Sequence, residues 1–281
     1  MLRSAMIPTD FSKETSLILR FAEGLPALGT GRVVLGHIIE ASGMEGPVIA
    51  AKVDQARDRI RTLTSRLTDA GLDVEIRVGT GDPAQGLLAI AHETGVNTIV
   101  CGSHGKSILT KLFTGSVSEQ LVVEAQVPTM LVRYDLLRTR EEPGLFASGF
   151  GKQVILPTDF SDSSHRALAA ATLMPKGAIG MLYLLHVLDS SLSGDKLSQA
   201  QEEAGAKLDA LCATAAEAGL TARTIIKQGD PVRATLQQVA ERRMTGIIVG
   251  TRGQSPLQEA VLGSTSMTLV RQASCPVMIV P

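Results

Sequence analysis

This chain is written twice, and that limits its fold more than any other feature. "MIPTDFS" at 6–12 returns as "ILPTDFS" at 155–161, and "GHIIEAS" at 36–42 returns as "LHVLDSS" at 185–191. "GDPAQGLLAIA" at 81–91 matches "GDPVRATLQQVA" at 229–240, and "VPTMLVR" at 127–133 matches "CPVMIVP" at 275–281. The copies stand 148 or 149 residues apart, so the 281 residues hold two units of ordinary domain size. Between them "YDLLRTREEPGLFASGFGK" gathers charge, Pro and Gly. It reads as connecting chain, with domain 1 at 1–136, a linker at 137–150 and domain 2 at 151–281.

Within each unit short apolar runs alternate with amphipathic stretches of helical period. "SAMIPT", "RVVLGHII", "DVEIRVGT", "NTIVCGS" and "PTMLVR" read as strands of the first unit. The segments between them carry helix signals: Ser12 as a cap, Gly71 as a stop, and Asp82 followed by Pro83 as a cap and first position. Strands without polar alternation, separated by helices, predict a parallel sheet covered on both faces. Right-handed crossovers then give an α/β fold of two tandem doubly wound domains, each with a five-stranded parallel sheet. Ligands of such sheets bind outside the carboxyl ends of the strands, where the strand order reverses.

Four elements fall at those ends. Pro8, Thr9 and Asp10 follow the first strand, as Pro157, Thr158 and Asp159 do in the copy. Asp10 either offers its carboxylate to a ligand or, with Ser12, only caps the next helix. His37 and Ile38 close the second strand, with His186 and Val187 opposite them. A histidine inside an apolar strand suits a hydrogen-bonded packing role better than catalysis, and Ile38 and Val187 suit packing on a flat ring. After the third strand, "GTGDPA" fits a loose dinucleotide pattern, but "KQGDPV" in the copy breaks it, and a capped turn is the better reading. The fourth element is "CGSHGKSILTKLFTGS", in which Gly102, Gly105, Gly115 and Ser116 hold a frame repeated by Gly250, Gly253, Gly263 and Ser264. Glycines let backbone amides approach a ligand closely, and a helix beginning at Ser116 or Ser264 adds a hydroxyl and a positive dipole end. That combination suits phosphate.

The glycine frame, the strand-end Asp of "PTDFS", the "HI" and "HV" pairs and the closing "VPTMLV" and "CPVMIV" strands resemble the universal stress protein family in its tandem form. The resemblance covers nearly all the chain outside the linker. It implies an adenine nucleotide alpha hydrolase-like fold that binds ATP or AMP at the strand ends, with Mg²⁺ accompanying ATP. Carried over residue by residue, it sets Asp10 and Ile38, or Asp159 and Val187, toward adenine, with Pro8 and Thr9, or Pro157 and Thr158, also among the nucleotide-binding residues. It sets Gly102 and Gly105, or Gly250 and Gly253, around ribose and phosphates. Gly115 with Ser116, or Gly263 with Ser264, then meets the phosphates, and Val117 and Thr265 are also among the nucleotide-binding residues. The family's frequent acidic residue before the fourth strand is replaced by Asn97 and Thr245. Members also pair through the last strand, so the resemblance implies an internal pseudo-dimer of the two domains or a homodimer.

A formal charge of -1 and 3% aromatic residues give no pull toward nucleic acid and no stacking platform. Cys101, Cys212 and Cys275 form no paired motif, and no metal site is expected. No apolar run is long enough to span a bilayer, so a cytoplasmic location is expected. No Walker frame and no assigned catalytic residue argues for ATP hydrolysis. The resemblance thus implies a nucleotide-dependent stress-response module, with a slow ATPase or a scaffold that has lost nucleotide binding in one or both halves as the alternatives.

Overall fold

The computed structural model describes residues 2–103, 116–251 and 263–281. Two compact units divide the chain, Met1–Ser148 and Gly149–Pro281.

In the first unit the strands are β1 (Ser4–Pro8), β2 (Arg32–Ile39), β3 (Asp73–Thr80), β4 (Ile99–Ser103) and β5 (Thr129–Arg133). Between them run α1 (Lys13–Ala22), α2 (Gly46–Asp69), α3 (Pro83–Glu93) and α4 (Ser116–Glu124). All the described pairings are parallel, in the order β3-β2-β1-β4-β5. The order reverses between β1 and β4, where successive crossovers leave in opposite directions and open a crevice at the carboxyl ends. Local signals place the helix starts. Ser12 Oγ accepts from Thr15 N at 3.2 Å, and Asp82 Oδ1 from Gln85 N at 2.9 Å with Pro83 at the first helical position. Alternate β2 residues then serve opposite faces. Val34 and Ile38 join Met6, Leu87, Ile99 and Leu121 in a core beneath α3 and α4, while His37 turns to the other face.

Residues 137–150, expected as a linker, are largely helical and belong to the first unit as far as Ser148. After β5 come α5 (Tyr134–Arg138) and α6 (Pro143–Ser148), in which Leu137, Pro143 and Ala147 are buried. Their apolar spacing was hidden among charges and a Pro. Phe146 meets Phe21 of α1 edge-on at 6.2 Å. Gly24 admits the Gly144 carbonyl, which would stand 1.9 Å from any Cβ added there.

The second unit repeats the plan. Its strands are β6 (Val154–Pro157), β7 (Leu182–Leu188), β8 (Ala222–Gln228), β9 (Gly246–Gly250) and β10 (Val277–Val280). Its helices are α7 (Asp162–Thr172), α8 (Gly194–Glu217), α9 (Pro231–Glu241) and α10 (Ser264–Gln272). The order is β8-β7-β6-β9-β10, again parallel. Asn97 and Thr245 both act as clamps at the start of the fourth strand, remote from the crevice. Asn97 Oδ1 accepts from Ser4 N at 3.2 Å, and Thr245 Oγ1 accepts from Gln153 N at 2.8 Å.

Ile38 and Val187 differ in volume, and their surroundings compensate. A Cβ on Gly86 of α3 would lie 2.6 Å from Ile38 Cδ1, and one on Gly79 of β3 would lie 2.8 Å from it. The copy sets Val187 with Ala234 at the position of Gly86. A glycine inside a helix costs about 1 kcal/mol relative to alanine, so Gly86 is retained for space. Gly86→Ala is expected to destabilise the first unit by about 1 kcal/mol through overpacking. Adding Ile38→Val should recover most of that loss, read as coupling in a double-mutant cycle of urea midpoints.

Candidate functional site

The sequence Pro-Thr-Asp-Phe-Ser builds a turn of interlocking parts at the end of β1. Thr9 N donates to the Gly36 carbonyl at 2.8 Å, and Phe11 N donates to Thr9 Oγ1 at 3.4 Å. Ser12 N donates to Asp10 Oδ1 at 2.9 Å, as does Thr15 Oγ1 at 2.8 Å. Two short polar side chains thus each accept from the amide two residues on. They hold Phe11 at φ +61°, a left-handed conformation that a bulky residue rarely adopts. The copy does the same. Phe160 sits at φ +61°, its amide donating to Thr158 Oγ1 at 3.1 Å, and Ser161 N donates to Asp159 Oδ1 at 3.1 Å. The Asp10 carboxylate therefore shapes the turn, and the residue also borders the crevice.

The histidines have the hydrogen-bonded role. His37 Nδ1 donates to the Thr9 carbonyl at 2.7 Å, and His186 Nδ1 to the Thr158 carbonyl at 2.8 Å, which fixes the tautomer. Phe11 lies on the His37 ring with centroids 4.5 Å apart, and the Arg59 guanidinium of α2 stands 4.1 Å from the Phe11 centroid. In the second unit Phe160 lies 4.4 Å from His186, with the Lys207 ammonium 5.4 Å from its ring. This cation, phenyl and imidazole group went unread in the sequence. Its cation comes from a distant helix, and only the matched positions of Arg59 and Lys207 could have signalled it.

On the glycine side, Gly102 is the penultimate residue of β4 and Gly250 the last of β9, both buried. The third residue of the following helix ties back to each. Ser118 Oγ donates to the Gly102 carbonyl at 3.5 Å, and Ser266 Oγ to the Gly250 carbonyl at 2.7 Å. The serine shared by "GSVS" and "GSTS" was a legible signal for this tie. Gly105, Gly115 and Gly253 lie outside the described residues. Ser116 begins α4, and Gly263 precedes α10 as its cap residue.

These parts meet in the first unit around a cleft of about 590 Å³. Pro8, Thr9 and Asp10 line it from β1, Ile38 from β2, Gly102 from β4 and Val117 from α4. Lys52 and Arg59 line it from α2, and Tyr134 from α5. In the second unit Pro157, Thr158, Asp159, Val187 and Gly250 occupy the matching strand ends. Ser264 and Thr265 border a groove shared with Asp230 and Arg233 of the α9 start. Burial pushes the Cys101 thiol at the cleft floor up to about 12, which leaves it protonated and unreactive at neutral pH. Among the described residues no cluster of His, Cys, Asp or Glu could hold a metal ion, and no helix is long and apolar enough to cross a membrane.

A doubly wound α/β unit with parallel strands, present twice, defines the class. The universal stress protein family matches residues 1–133 and 151–281, and the chain belongs to that family. A universal stress protein of Methanocaldococcus jannaschii is 24% identical over 155 residues, covering 47% of this chain and 96% of the relative. Another, from Bacillus subtilis, is 34% identical over 144 residues, covering 46% of this chain and 97% of the relative. The crystal structure of a universal stress protein from Archaeoglobus fulgidus has a TM-score of 0.79 at 24% identity. It covers 100% of this chain and 98% of its own, which supports the fold.

Burial raises the Asp10 carboxyl, but hydrogen bonds from Ser12 and Thr15 together outweigh it and hold the group below its ordinary 3.8. A depressed folded value means that the carboxylate's contribution to stability is present above 3.8 and lost as pH falls through the folded value. The stability gap between wild type and Asp10→Asn is thus expected to be flat from neutral pH down to about 5 and to shrink below about 4. Chemical denaturation across that range checks it, and a gap that widens in acid would refute the assignment.

Proposed function

We propose that the chain is an adenine-nucleotide-binding stress-response module in which ATP or AMP occupies the crevice of each unit. One observation carries this reading: the first-unit cleft gathers an apolar wall at Ile38, the Asp10 turn, Gly102 near the end of β4 and the start of α4. Its volume of about 590 Å³ falls within the range of small-molecule sites. Ile38 and Val117 suit the flat face of a base, and the carboxylate of Asp10 suits an amino or hydroxyl donor. The amides at the start of α4 suit phosphate oxygens, since a helix N-terminus carries unsatisfied donors and partial positive charge. Lys52 and Arg59 add positive charge on the opposite wall. The second unit matches the first at the strand ends, and we place a second nucleotide there.

The same residues argue for binding rather than turnover. Cys101 is a buried, protonated thiol and so is no ready nucleophile, and His37 Nδ1 is committed to the Thr9 carbonyl, which holds the ring in place. Purified protein, denatured and analysed by chromatography, is expected to release adenine nucleotide, or failing that to bind added ATP with Mg²⁺. Gly115→Val and Gly263→Val should each remove one site's share. No nucleotide released and none bound by the wild type would overturn the proposal. Single-turnover phosphate release is expected to run slower than about one per second.

A further inference from the structure

The two copies of the first frame glycine are covered by different groups. Gly250 is met by α7: a Cβ there would lie 2.3 Å from Ser163 Oγ and 2.6 Å from the Ser163 carbonyl oxygen. Glu14 of α1 holds the matching place in the first unit, yet what meets Gly102 is the ring of Tyr134. A Cβ on Gly102 would lie 2.1 Å from both Cε1 and Cζ of that ring and 2.5 Å from its hydroxyl oxygen. The phenol therefore stands where the copy has a helix backbone. An ion pair between Arg138 of α5 and Glu14 of α1 ties the same segment to α1. Tyr134 also lines the cleft, and burial first, then the neighbouring Cys101, Asp10 and Glu14, push its phenol well above the usual tyrosine range. It stays a protonated donor at every ordinary pH. The family match ends at residue 133, so Tyr134 is a feature of this chain beyond the matched repeat.

We propose that Tyr134 is a ligand-positioning residue of the first cleft, its ring holding α1 off β4 and its hydroxyl donating to the ribose or phosphate oxygen that lies against Gly102. The proposal rests on the nucleotide reading above and adds a specific inequality. Ligand bound in the first unit meets a phenol hydroxyl, and ligand bound in the second meets Ser163 and α7.

The chain holds two tyrosines, so full-length protein labelled with 3-fluorotyrosine gives two fluorine resonances, assigned by Tyr134→Phe. Tyr183 lies in β7 with 8% exposure and serves as the internal reference. Saturating ATP with Mg²⁺ is expected to shift the Tyr134 resonance and leave that of Tyr183 in place. Calorimetric titration is run in a Gly263→Val background, so that the first cleft reports alone; Gly263 has φ -58°, which valine accepts. There Tyr134→Phe, which keeps the ring, is expected to weaken ATP about 2- to 10-fold, the worth of one hydrogen bond. Tyr134→Ala should weaken ATP further, as α1 settles onto Gly102. If ATP binds but the Tyr134 resonance does not move, or Tyr134→Phe binds as tightly as its parent, the proposal is overturned while the nucleotide reading stands. If the parent protein binds no adenine nucleotide in either experiment, the nucleotide reading falls and this proposal with it.

Discussion

The crevice of each unit depends on how one threonine is held. Thr9 is 6% exposed, and three of its groups are engaged: the amide by the Gly36 carbonyl, the carbonyl by His37 Nδ1 and the hydroxyl by the Phe11 amide. These bonds pin the end of β1 to β2 and leave the chain one way to turn. Phe11 is forced left-handed, Ser12 becomes the cap, and α1 departs from the switch point at a set angle. Thr158 is held in the same way, by the Leu185 carbonyl, His186 and the Phe160 amide. A buried, fully bonded residue beside a backbone of rare conformation is the arrangement expected where a site must be preorganised.

Around that shared anchor the two copies differ in ways that follow from volume and charge. Ile38 is accommodated by Gly79 and Gly86, whereas Val187 is matched with Ala234. Arg59 stands close over Phe11, and Lys207 stands farther from Phe160. The first frame glycine is covered by Tyr134 in one unit and by Ser163 in the other. The turn that builds the crevice is common to both, and the walls that would touch a ligand are where the units diverge.

Much of this was legible in the sequence because it depends on local rules. The duplication fixed two units, apolar runs without polar alternation implied parallel strands, and Ser12, Asp82 and Asp230 announced helix starts by side-chain chemistry alone. The reading of His37 and His186 as hydrogen-bonded packing residues also followed from their apolar strands. What stayed illegible depends on tertiary approach. Nothing local marks Phe11 for a left-handed backbone, or Arg59 for the face of α2 that meets it. Tyr134 was hidden for a different reason. It stands among the charges and Pro that mark connecting chain, yet Leu137, Pro143 and Ala147 gave that segment enough apolar surface to fold onto α1.

The central claim is that the strand ends gathered around Thr9 and Gly102 form one nucleotide site. Amide hydrogen exchange of the full chain, with and without saturating ATP and Mg²⁺, tests it most directly. The account predicts added protection at residues 9–12, 37–39, 101–103 and 116–119, with the buried centres of β1 and β4 unchanged. Bound ATP that protects other surfaces and leaves those four segments unaltered would contradict it.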